Sequence, residues 1–72
     1  IEILSGTQGM ENFDERLQRY FAAGVKSVWL VQPFIKIIAL FLLDQEPQVF
    51  TRGELRDPAT NVAVNLDEIF KS

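Results

Sequence analysis

The 72-residue chain contains neither cysteine nor histidine. The lack of cysteine excludes disulfide bonds, thiolate zinc sites and cysteine nucleophiles, and the lack of histidine excludes every catalytic scheme that depends on an imidazole base. Carboxylate, lysine, arginine and hydroxyl groups are therefore the side chains that remain for acid–base or metal chemistry.

An excess of positive charge is also missing, since the formal net charge is −3 at pH 7. A nucleic-acid role would need a local basic patch, because the overall field does not attract phosphate. The apolar fraction is nevertheless 47%, which is typical of a globular protein. A chain this short forms one small domain at most, and it buries only about 60% of its unfolded surface.

No clean apolar run is long enough to cross a membrane. Gln32, Pro33 and Lys36 interrupt the apolar stretch over residues 28–43, and a span needs roughly 20 apolar residues. The N-terminal residues also lack the basic flank and long apolar core of a secretory signal. These features predict a cytoplasmic protein with no membrane partner. Because the chain starts on an isoleucine in mid-pattern, we expect a processed or trimmed chain.

One amphipathic helix is predicted from about Asn12 to Ala23. Its apolar side chains recur at helical spacing and form a single stripe, which consists of Phe13, Leu17, Tyr20 and Phe21. Asn12 suits the N-cap position, and Gly24 supplies the left-handed residue that ends the helix.

The other segments predict strands and turns. Strand patterns occupy residues 1–4, 28–31, 35–43, 49–51 and 62–64, a flexible turn occupies residues 5–9, and a single helical turn occupies residues 66–70. Residues 49–51 are expected to form a hairpin with the strand before them, and residues 62–64 an edge strand. The predicted fold class is α/β, with one amphipathic helix packed on a small mixed sheet and a short C-terminal helical turn.

Four landmarks in the chain follow one known pattern. They are Glu2-Ile3-Leu4-Ser5, then Tyr20-Phe21 with Ala23-Gly24-Val25, then Val28-Trp29-Leu30-Val31 with Pro33, and finally Leu66-Asp67-Glu68-Ile69-Phe70. In this order they resemble the C-terminal half of the bacterial restriction endonuclease family of the Uma type, within the PD-(D/E)XK nuclease-like superfamily. The resemblance covers essentially the whole chain. It implies a single incomplete nuclease-like domain over residues 1–72, whose upstream half contributes further strands and an aspartate of the metal site.

The resemblance also assigns site residues. Glu2 matches the acidic residue of the nuclease motif, which implies a catalytic role and a role as metal ligand. Leu4 stands where the usual lysine would follow, and Arg16 matches the helix position from which family members supply a lysine instead. Arginine stabilises phosphate but cannot act as a tunable base. The implied cofactor is Mg²⁺ and the implied partner is DNA.

Two functions fit these residues. The first is a Mg²⁺-dependent DNA endonuclease, incomplete and inactive as this chain, because Glu2 alone gives one ligand where at least two carboxylates must converge. The second is a non-catalytic structural or dimerisation module derived from the same fold. An open strand edge with uncovered apolar residues around Ile1, Ile3, Trp29 and Ile38 would make it a homo-oligomer.

Several other polar residues have simpler interpretations. Arg16 and Arg19 lie three residues apart and fit either a phosphate-binding patch or a solvated helix face, of which the second is favoured. The aspartates of turns and of the last helix start are expected to form local hydrogen bonds to the backbone; they are Asp44, Asp57 and Asp67.

Overall fold

The computed structural model describes residues 1–5 and 12–71, so most of the turn predicted at residues 5–9 lies outside the described residues. The strands are β1 (Glu2–Ser5), β2 (Ser27–Gln32), β3 (Ile37–Leu42), β4 (Gln48–Phe50), β5 (Glu54–Arg56) and β6 (Ala63–Asn65), and the helices are α1 (Phe13–Ala22) and α2 (Leu66–Ile69). Neither of these helices is long and apolar enough to cross a membrane.

Helix α1 confirms the predicted amphipathic helix and its C-terminal glycine. Gly24 adopts a φ of +94°, the left-handed conformation that glycine reaches without a Cβ penalty. The N–H of Gly24 donates to the carbonyl of Phe21, and the N–H of Val25 to that of Tyr20, both at 3.0 Å. This pair of bonds is the Schellman motif. At the other end Asn12 occupies the predicted N-cap position, although its side chain makes no capping hydrogen bond.

Strands β1 to β4 form one mixed sheet in the order β1-β2-β3-β4. Strand β1 runs parallel to β2, and the β2–β3 and β3–β4 pairs are antiparallel. The predicted strand at residues 35–43 and its hairpin with the following strand are therefore confirmed, although β3 is shorter. Ile35 lies in the turn after Pro33, where Lys36 adopts a φ of +59°.

Helix α1 covers one face of this sheet. The cluster between them has three buried residues and three partly buried ones, which are Phe13, Leu30 and Ala39, and Leu4, Leu17 and Phe41. The rings of Phe13 and Phe41 meet edge to face with centroids 5.1 Å apart, a preferred aromatic geometry. Within the predicted helix stripe Phe13 is buried, whereas the other three residues are half-buried.

A second, two-stranded sheet and helix α2 cover the opposite face. The buried cluster on this side consists of Trp29, Ile38, Leu40, Leu42, Leu55 and Leu66. Strand β5 was not predicted, because Leu55 is a single apolar residue between two charged ones. It pairs with β6 in a separate two-stranded sheet. The edge strand predicted at residues 62–64 is therefore present as β6, and it belongs to this second sheet. Trp29 and Ile38 are 3% and 1% exposed, which corrects the prediction that they are uncovered.

The predicted C-terminal helical turn is confirmed as α2. The side chain of Asn65 caps it by accepting a hydrogen bond from the N–H of Asp67 at 2.8 Å, as Asn does at helix N-termini. Leu66 is the residue that enters the core. Phe70 packs against the same cluster, whereas Ile69 is exposed.

The central position of Leu40 can be tested against an exposed leucine on the same segment. Leu40 is 1% exposed and Leu43 is 59% exposed. We expect Leu40→Ala to lower the free energy of unfolding by roughly 2–5 kcal/mol, because it leaves a cavity, and Leu43→Ala to change it by less than about 0.5 kcal/mol. Urea titrations followed by circular dichroism measure both. Equal losses for the two variants would contradict the placement of the core.

Candidate functional site

Glu2 lies on the face of the sheet that helix α1 covers. It pairs with Val28 on the parallel strand β2, and residues paired in this way point to the same side. Leu4, two residues further along β1, packs in the α1 cluster. Because side chains on a strand alternate between faces, Glu2 shares the side of Leu4. Its side chain is half-buried.

Arg16 lies on α1, next to Leu17, and is also half-buried. Together with Arg19 and Tyr20 it lines a cavity of about 230 Å³. The two predicted site residues, Glu2 and Arg16, therefore belong to the same side of the sheet. The structure does not join them directly, since the ion pairs found in residues 1–5 and 12–71 involve neither of them.

The acidic residues do not converge into a metal site. In the part of the chain that the structure describes, no group of three or more histidine, cysteine, aspartate or glutamate side chains is arranged to hold a metal ion. Mg²⁺ requires near-octahedral oxygen ligands and is usually bound through one or two carboxylates together with water and substrate phosphates. Glu2 supplies one carboxylate where the nuclease site implied by the family resemblance needs two, so the described residues do not fit that complete magnesium site.

The most unusual acidic residue is Asp57, which is fully buried. One carboxylate oxygen accepts hydrogen bonds from the Ser27 hydroxyl and from Nε1–H of Trp29, the latter at 2.9 Å. The other oxygen accepts the backbone N–H of Ala59 at 2.9 Å. The predicted role of Asp57 as a turn residue accounts for the Ala59 bond alone, because the bonds to Ser27 and Trp29 cross to the main sheet.

The hydrogen bonds keep this buried carboxylate ionised. Burial raises the pKa of Asp57, but the bonds from Ser27, Trp29, Ala59 and Thr60 outweigh it and hold the pKa below the ordinary value of 3.8. Donors that point at a carboxylate stabilise its charged form. The charge is thus neutralised by dipoles within the protein, and the ion pairs of the described residues do not include Asp57.

Asp57 and Glu2 lie on opposite faces of the sheet. Ser27 and Trp29, the partners of Asp57, alternate along β2 with Val28, the partner of Glu2. Asp57 is therefore not the second carboxylate of a site at Glu2. The sequence held one signal for it, because a buried tryptophan needs an acceptor for its indole N–H, but nothing in the sequence identified which residue accepts.

A second cavity, of about 260 Å³, is formed in part by the two residues that follow Asp57. Its lining residues are Lys26, Leu42, Leu43, Gln45, Pro58 and Ala59. Among the described residues of this lining, Lys26 is the one with a charged side chain, and neither Glu2 nor Arg16 contributes to it. This cavity is therefore separate from the predicted site.

Comparison with known proteins identifies the fold. No protein-family model matches the chain, and no curated protein matches it. A solved structure does match: a crystal structure described as a "putative nuclease belonging to DUF820", from Anabaena variabilis ATCC 29413, has a TM-score of 0.74 over 94% of this chain at 18% sequence identity. The chain spans 41% of the length of that protein. At this identity the likeness is one of fold, so the chain has a nuclease-like α/β fold, as predicted.

The role of Asp57 can be tested with Asp57→Asn, matched by Asp44→Asn in an exposed turn. An amide at position 57 would turn its NH₂ group toward the N–H of either Ala59 or Trp29. We expect a loss of about 1–3 kcal/mol of unfolding free energy, because a buried donor is left without its acceptor. Asp44 has a φ of +60°, which asparagine tolerates, so the control should lose little.

The same variants test how the stability of the fold depends on pH. Because the pKa of Asp57 in the folded state lies below 3.8, its contribution to stability is present above that pH and is lost as the pH falls through the folded-state pKa. Urea titrations from neutral pH to below pH 3.8 should therefore show a smaller acid loss in Asp57→Asn than in the unmodified chain and Asp44→Asn. An identical acid loss in all three proteins would contradict this role.

Proposed function

We propose that this chain forms part of a Mg²⁺-dependent DNA endonuclease of the PD-(D/E)XK type and that, by itself, it does not cleave DNA. The observation that carries the proposal is the fold shared with a protein described as a nuclease, at a TM-score of 0.74, of whose length this chain spans 41%. Cleavage in this proposal requires carboxylates that the described residues do not supply.

Glu2 is the proposed metal ligand of this chain. It lies on β1, which is an edge strand of the four-stranded sheet. Strand β1 pairs with β2 on one side, and none of the described strands pairs with its other side. Strands of a larger domain that extended the sheet there would bring their side chains next to Glu2. A second acid delivered in this way would complete the pair that phosphodiester hydrolysis with Mg²⁺ needs.

Arg16 is the proposed phosphate-stabilising residue. Its guanidinium remains charged at every physiological pH and presents a fork of N–H donors that matches phosphate oxygens. It cannot accept a proton from water, and Leu4 occupies the position two residues after Glu2 where a lysine would otherwise stand. The isolated chain is therefore expected to be inactive for two reasons: it lacks a second carboxylate, and neither Leu4 nor Arg16 can act as a base.

Inactivity of the isolated chain is tested with supercoiled plasmid and Mg²⁺ or Mn²⁺. We expect no nicking above the buffer control, because Glu2 alone does not form the pair of carboxylates that the proposed Mg²⁺-dependent cleavage needs. Glu2→Gln serves as the site variant, and Glu46→Gln, in an exposed turn, as its matched control. Nicking by the unmodified chain that is lost in Glu2→Gln and kept in Glu46→Gln would show that the chain is a complete enzyme.

The endonuclease proposal itself is tested with a chimera in which this chain replaces the matching segment of the Anabaena protein. If the parent cleaves DNA with Mg²⁺, we expect the chimera to cleave too and Glu2→Gln to abolish that cleavage. Glu46→Gln in the chimera should be active. Cleavage that survives Glu2→Gln would refute the assignment of Glu2 as metal ligand.

A second candidate function is a non-catalytic dimerisation module. It is favoured by the open edge of β1, where Ile1 and Ile3 are 44% and 58% exposed. Unpaired strand edges with apolar side chains promote pairing between chains. The apolar surface is smaller than predicted, since Trp29 and Ile38 are covered by the second sheet.

Light scattering at micromolar concentration tests this second function. We expect a dimer that Ile3→Lys dissociates, because a charge on the strand edge opposes pairing. Val49→Lys, an exposed position on β4 at the other edge of the same sheet, should leave the dimer intact. A monomer in all cases would eliminate the dimerisation module.

A further inference from the structure

Three residues of α1 line the cavity of about 230 Å³: Arg16, Arg19 and Tyr20. Their spacing of three and four residues places them on neighbouring turns of one helix face. The cavity therefore brings two guanidinium groups and one phenol to a common space.

The charges of this pair are not neutralised within the described part of the chain. There, the ion pairs join Arg56 to Glu54 at 3.1 Å and Lys71 to Glu68 at 3.3 Å. Glu15 precedes Arg19 by one helical turn, a spacing that often gives an ion pair, but no such pair is formed. Two arginines at one cavity thus retain their donors for a ligand, in a protein whose net charge is −3.

We infer that Arg19 and Tyr20, together with Arg16, form a contact site for the phosphodiester backbone of DNA. The inference rests on the proposed function and deepens it, since it adds Arg19 and Tyr20 to the residue proposed above. Each guanidinium offers a planar fork that binds phosphate through two parallel hydrogen bonds. The Tyr20 hydroxyl is a neutral donor to a phosphate oxygen, as tyrosine is in many backbone contacts.

The surroundings favour a nucleic-acid backbone over an acidic protein surface. The cavity belongs to α1, the helix on the same side of the sheet as Glu2, so a DNA strand bound there would lie on the side of the sheet that carries the proposed metal ligand. Because the net charge is negative, long-range attraction does not assist binding, and affinity has to come from these local contacts. Binding should accordingly be weak and should fall steeply with salt.

The experiment follows fluorescence anisotropy of a labelled DNA duplex in a salt series, with the unmodified chain, Arg19→Gln and Arg52→Gln. Arg52 is an exposed residue between β4 and β5 that lines neither cavity, so it controls for the change in net charge. We expect Arg19→Gln to reduce the slope of log K against log salt by about 1, as for the loss of one phosphate contact. Arg52→Gln should leave the slope unchanged.

Tyr20→Phe separates the hydroxyl from the ring. We expect it to weaken binding by a similar factor at every salt concentration, with an unchanged slope, because a neutral donor releases no counterions. Circular dichroism confirms that each variant is folded. Tyr20→Phe binding equal to that of the unmodified chain would overturn the role of the hydroxyl.

Three results would overturn the inference. They are equal slopes for Arg19→Gln and Arg52→Gln, no binding of duplex by the unmodified chain at low salt, and competition by a polyglutamate peptide as strong as by unlabelled DNA. The proposed function fails separately, when the chimera does not cleave although binding still depends on Arg19. Conversely, equal salt slopes for Arg19→Gln and Arg52→Gln would refute the contact site, while the chimera could still cleave DNA and support the proposed function.

Discussion

A buried carboxylate holds the two layers of this domain together. Asp57 in the β5–β6 turn accepts hydrogen bonds from Ser27 and Trp29, which lie about 30 residues earlier on β2. A charge without water is costly unless donors surround it, so the turn and the strand must keep one relative position for every donor to reach. In a chain of 72 residues with a small core, this constraint fixes where the second sheet sits, and with it the cover over the Trp29 cluster.

Because that network occupies one face of the main sheet, the other face is left to α1 and to the proposed site. Glu2 and the cavity of Arg16, Arg19 and Tyr20 both belong to the α1 side. The two acidic residues therefore lie on opposite faces of the sheet. Asp57 is fully buried and both of its carboxylate oxygens accept hydrogen bonds, whereas Glu2 is half-buried on the edge strand β1. Burial with satisfied partners indicates a structural role for Asp57.

Sequence patterns predicted the parts of the fold that depend on local periodicity. Helix α1 follows from its apolar stripe and Gly24, and the strands β2 and β3 follow from continuous apolar runs around Pro33. Strand β5 carries one apolar residue, so no period identifies it, and its pairing with β6 arises from tertiary contacts of Leu55. Likewise the turn composition predicted the local bond of Asp57, but its bonds to Ser27 and Trp29 depend on long-range geometry. The family resemblance implied Glu2 as the single metal ligand of the chain, whereas the shared cavity of the arginines required the structure.

The indole N–H of Trp29 gives the most direct test of this arrangement, because it reports on the bond to Asp57 at 2.9 Å. Its hydrogen exchange is measured by NMR as a single resolved signal, since the chain has one tryptophan. If the Asp57 network joins the two sheets, this proton should exchange only when the whole domain unfolds, at a rate that follows the global free energy of unfolding. Exchange as fast as that of an exposed indole would contradict this account, because it would show that the Asp57 network does not fix the second sheet to the first.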